Sequence, residues 1–119
     1  MPLLNFRTRN PERDDATDAR RFDRLARLLN ELTDEISVER SGLERRYKSV
    51  TTDAAFLVEA IENDSVAERS QTRVEELTSS IINCERRLES LSRQASVLNE
   101  LRKVLSDLAK KNLGRGGKG

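Results

Sequence analysis

A chain of 119 residues is one domain at most. Charged residues make up 36% and aromatics only 3%, which excludes a thick globular core, while 35% apolar residues exclude an evenly solvated disordered chain. A formal net charge of +1 gives no global pull toward nucleic acid or an anionic membrane, and a single cysteine allows no intramolecular disulfide.

The opening "MPLLNFRTR" lacks the uninterrupted apolar region of a secretion signal, and no apolar run approaches the length of a membrane span. The expectation is a cytoplasmic protein with residues 1–10 as a flexible lead-in. "NPERDD" then reads as a helix start. Asn10 caps, Pro11 suits the first helical position, and Glu12, Asp14 and Asp15 complement the positive helix end.

Apolar residues recur from there as Phe22, Leu25, Leu29, Leu32 and Ile36, then Leu43, Tyr47, Val50, Ala54, Leu57 and Ile61. The spacing alternates three and four, with a gap at Glu39 and Arg40. The inner positions shift by one place between Leu32 and Tyr47, which is read as the drift of a straight helix, about 20° per heptad. Ser41 and Glu44 form a capping box around Gly42, so a three-helix arrangement with a break near Gly42 is the alternative.

"ENDSVAE" carries the favoured turn. Ser65 and Glu68 form a second capping box, preceded by Asn63 and Asp64. A turn at 63–65 leaves helices at about 11–62 and 66–112, near-equal arms of a long antiparallel two-helix coiled-coil hairpin within 11–112. A continuous rod is the third option. The second seam reads Val74, Leu77, Ile81, Cys84, Leu88, Leu91, Ala95, Leu98 and Leu105, interrupted at Arg102. Folding the chain at the turn makes facing partners' numbers add to about 128, so Phe22 meets Leu105, Ile36 meets Leu91 and Tyr47 meets Ile81. Lys110, Lys111, Asn112 and Gly114 read as stop chemistry, with 113–119 as a flexible Gly/basic tail.

The residue types needed for catalysis are scarce. There is no histidine, hence no commonest general base and no commonest metal ligand. Cys84 falls on the seam as a small apolar side chain without a base to activate it. Neighbouring carboxylates such as Glu75 and Glu76 point in different directions on a helix. The expectation is a non-enzyme without cofactor or metal.

What remains is apolar surface beyond the seam and one basic zone. Leu28, Leu101, Val104 and Leu108, with Ala26 and Val97, exceed what a two-helix seam buries. Phe56 and Val58 in "AAFLV" do the same near the turn. Leu3, Leu4 and Phe6 lie at the terminal end of the hairpin, where they fold back, swap into a neighbour or dock on another protein. The reading is a scaffold or adaptor acting through protein–protein interaction and self-association, assembling into a four-helix arrangement. The alternative places nucleic acid or an anionic surface on Arg7, Arg9, Lys110, Lys111, Arg115 and Lys118.

Overall fold

The computed structural model describes residues 10–63 and 68–118, the side chains at 68–69 and 112–118 excepted. Two helices account for nearly all of it: α1, Pro11–Asn63, and α2, Glu68–Lys118. The protein is an all-α helical hairpin, and there is no strand among the described residues.

The start of α1 follows its sequence. Asn10 Oδ1 accepts from the backbone N–H groups of Glu12 and Arg13 at 3.0 and 3.2 Å, satisfying two of the donors that every helix start leaves open. The Asp14 N–H closes the first turn on the Asn10 carbonyl at 3.0 Å. Glu12 and Asp14 sit in that turn, beside the positive end of the helix.

α1 runs unbroken through Gly42, which excludes the three-helix alternative. No described residue has a positive φ, so Gly42 keeps ordinary helical geometry. A single glycine costs a helix interior about 1 kcal/mol, too little to break one held by a seam on either side. The expected reversal at 63–65, together with Ser65, lies outside the described residues beyond Asn63. α2 continues past Asn112 and Gly114 to Lys118, so neither residue ends it. Glycine permits a left-handed cap and does not require one.

The burial pattern corrects the reading of the first seam. Residues drawn inward on α1 are Phe22, Ala26, Leu29, Thr33 and Ile36, then Leu43, Tyr47, Val50, Ala54, Leu57 and Ile61. Ala26 and Thr33 hold the places assigned to Leu25 and Leu32, which stand beside the seam and are substantially exposed. With these residues the inner line is Ala26, Thr33, Arg40, Tyr47, Ala54 and Ile61, one every seven places. There is no drift, because a coiled-coil helix is slightly overwound to 3.5 residues per turn. α2 keeps the same repeat, with Arg102 in line between Leu98 and Leu105.

Polar residues in these lines are handled individually. The Thr33 hydroxyl donates to the Leu29 carbonyl at 2.7 Å, so its half-burial leaves no open donor. Arg40 turns out to Glu44, 3.3 Å away on the next turn. Arg102 is likewise exposed.

Two compact units divide the chain: Met1–Thr33 with Val97–Gly119, and Asp34–Ser96. In the first, Leu29 and Leu105 are buried, and Phe22 and Leu105 line one groove with residue numbers adding to 127. In the second, Leu77, Cys84 and Leu91 are buried, Leu91 completely. Arg87 reaches Glu39 across the helix pair, and the Tyr47 hydroxyl donates to Glu85 Oε1 at 3.0 Å. Glu39 and Arg87 add to 126, and Glu85 lies one helical turn along from Ile81, the partner expected for Tyr47. Both units are therefore antiparallel in the expected register.

Candidate interaction surface

Lettering the heptad abcdefg, with the seam at a and d, puts Ala26 and Arg102 at a and Phe22 and Leu105 at d. The groove of the first unit includes Asp23, Asn30 and Ser106, all at e. Small side chains at Ala26 and Ala109, with Arg102 swung outward, leave it open. The e positions of both helices thus share one side of the unit. The g positions share the other, as antiparallel pairing requires.

That other side is apolar. Leu25 and Leu32 occupy g on α1, with Leu28 at c between them. Leu101 and Leu108 occupy g on α2, with Val97 and Val104 at c. All seven are between 37% and 57% exposed. Each set repeats at three and four residues, so each helix carries a second apolar stripe. By the 100° step of an α-helix the stripe lies about 110° around from the seam.

The stripe stops at the edge of the first unit. In the second, the corresponding α1 positions are Glu35, Glu39, Gly42, Arg46, Ser49, Asp53, Phe56, Ala60 and Asn63, so Phe56 is the one large apolar residue among them. Those on α2 from Arg73 onward are Arg73, Glu76, Ser80, Asn83, Arg87, Ser90 and Gln94, all polar. Exposed apolar residues there are scattered. Phe56 is 68% exposed in a shallow depression beside Thr52 and Glu59. Val58, two residues on, points about 200° away from it, so the two form no common surface.

No family model, curated protein or solved structure matches this chain.

The predicted contact residues divide accordingly. Leu28, Leu101, Val104 and Leu108 come together on one face. Leu3, Leu4, Phe6, Arg7 and Arg9 lie outside the described residues, as do the side chains of Arg115 and Lys118. Lys110 and Lys111 are exposed on the last part of α2. Sequence reasoning missed Leu25 and Leu32 as surface residues because it spent them on the seam. The available signal was the seven-residue line back from Ile61 through Tyr47, which passes through Arg40, Thr33 and Ala26.

Two contacts between ionisable side chains join α1 to α2. Arg87 donates to Glu39 from Nε at 2.6 Å and from Nη2 at 3.0 Å. This hydrogen bonding, helped by the charge of Arg87 and opposed by partial desolvation, holds the Glu39 carboxyl below its ordinary value of 4.5. The same pair raises Arg87 further. Glu85 accepts from the Tyr47 hydroxyl and its negative charge adds to the effect, so the phenol is raised above 10.0. Among the described residues no group of three or more acidic, Cys or His side chains is placed to hold a metal. No helix among them is long and apolar enough to cross a membrane.

Proposed function

We propose that the chain is a non-enzymatic coiled-coil scaffold or adaptor of the cytoplasm, acting through protein–protein contact and self-association. The observation that carries the reading is the second stripe: seven exposed aliphatic side chains on one side of one unit, in helical register on both helices. Scattered exposed aliphatics are ordinary, but a contiguous face of this kind is what interaction surfaces are made of. Near-neutral charge and a cysteine committed to the seam agree with a role in assembly.

The test is to replace Leu28 and Leu101 by Glu, separately and together. Both are exposed at g or c positions, so helix content by circular dichroism stays near the wild-type value. Association, measured as solution mass and as retention of partner proteins from the source extract, is lost. Undiminished association of the double variant contradicts the reading. Binding of a single-stranded oligonucleotide or anionic vesicles that falls steeply with salt would move the assignment to the basic end at Lys110 and Lys111.

A further inference from the structure

We infer that the occupant of the second stripe is a second copy of this chain. Two first units close on each other as a four-helix bundle about a two-fold axis running along the helices. The inference rests on the interaction reading above and names its partner.

Three observations select a second copy. The first is angular. A helix at the corner of a four-helix bundle meets two neighbours in directions near a right angle, and the seam and the second stripe are about 110° apart on both α1 and α2. A two-fold axis along the helices sets α1 of one copy against α2 of the other, stripe on stripe, with all neighbours antiparallel.

The second is register. Residues level with one another across the first unit have numbers adding to about 127, as Phe22 and Leu105 do on their shared groove. An axis along the helices carries that level to the partner copy. Leu25 then falls level with the gap between Leu101 and Val104. Leu28 falls level with the gap between Val97 and Leu101. This is the knob-into-hole relation that a helix seam requires.

The third is charge at the rim. Arg24 borders the stripe on α1, and its level falls between Glu100 and Asp107 on the same edge of α2. Lys103 already holds Glu100 at 3.5 Å, so Asp107 is the freer partner. A basic residue on one copy meets an acidic one on the other, twice by symmetry. The amount of surface also suits a dimer. Seven half-exposed aliphatic side chains leave on the order of 500 Å² per copy, the upper range of what a monomer carries. Paired, they bury about 1,000 Å² before any polar rim is added, close to the smallest stable interfaces. In the second unit Phe56 and Ala60 are apolar at the same positions of α1, but the described α2 positions are polar, so no matched layer is added.

The experiment is sedimentation equilibrium of the full chain over a concentration series reaching ~100 µM, where a dimer with a Kd of ~10 µM is mostly formed. The expected mass is twice 13.5 kDa. Arg24→Glu and Asp107→Lys each weaken the dimer at least severalfold. The double variant restores it, because the rim charges are exchanged. These are exposed positions, so folding is not at stake, and circular dichroism verifies it. A one-chain mass throughout the series overturns the second copy and with it the self-association half of the reading above, while leaving the stripe open to another protein. A dimer unaffected by Leu28→Glu and Leu101→Glu overturns both readings. A dimer lost on Leu28→Glu but unmoved by either charge reversal overturns the arrangement about an axis along the helices.

Discussion

Arg87 lies two-pronged on Glu39, Nε to Oε2 at 2.6 Å and Nη2 to Oε1 at 3.0 Å, and so ties α1 to α2 beside the seam. Both side chains are nearly half exposed, which keeps this a modest contact despite its geometry. Its value is positional. It sits where Arg40 takes a seam place and turns outward, and it fixes which residues of the second unit face each other.

The pair should be visible as an acid-dependent loss of stability. The folded carboxyl is held below the unfolded value, so its contribution is complete above about pH 5 and disappears as pH falls through the folded value. Thermal melts of wild type and Glu39→Gln should differ near neutral pH and converge in strong acid. A constant difference across that range would mean that the charge of Glu39 is irrelevant.

Tyr47 gives the opposite end of the pH scale. It is the only tyrosine, so phenolate absorbance reports it alone. The wild-type midpoint should lie above 10.0, and Glu85→Ala should bring it down toward that value. Here the folded value is raised. The associated stability is therefore complete below the unfolded value and lost as pH rises through the folded one. Equal midpoints in the two proteins would break the link to Glu85.

Gly42→Ala should stabilise the protein by about 0.5–1 kcal/mol, because glycine pays backbone entropy in a helix and alanine does not. Nothing opposes the added methyl. Its nearest neighbour would be Arg45 Nη2, the end of a flexible side chain, at 3.9 Å. Denaturant melts showing a lower midpoint would put a bend at Gly42 that the helix does not have.

Leu91→Ala should cost about 2–4 kcal/mol, since this is the one fully buried large side chain among the described residues and its loss leaves a void. Cys84, buried on the same line seven residues away, supplies a second readout. Its reaction with a thiol reagent should be slow in wild type and clearly faster in the variant. An unchanged rate would separate the two sites.

Much of the fold was legible in the repeat itself. Alternating threes and fours gave two helices, and near-equal arms gave a hairpin. Asn10 and Pro11 gave the start of α1 to the residue. The errors share a cause. Leu25 and Leu32 drew the seam toward themselves because leucine is the stronger hydrophobe, yet geometry seats Ala26 and Thr33. Register is decided by the whole repeat of both helices, and one bulky residue at a flank does not outvote it. Gly42 raised a break only as the alternative to the hairpin, and its helix penalty is small beside the packing on either side. The second apolar stripe was half legible. Leu28, Leu101, Val104 and Leu108 stood out as surplus, but their common side emerged only once the seam was corrected.

The buried line of α2, Leu77, Cys84 and Leu91 with Leu105 two heptads on, makes chain length a quantised property. Inserting one residue between Leu77 and Leu91 would rotate everything beyond it by about 100° and carry the line to the surface. Inserting seven would return it to the same face, and a matching seven on α1 would restore the partners. Related chains of different length should therefore differ by whole heptads, added or removed on both helices together, with odd lengths confined to the segment between Asn63 and Glu68 and to the two ends.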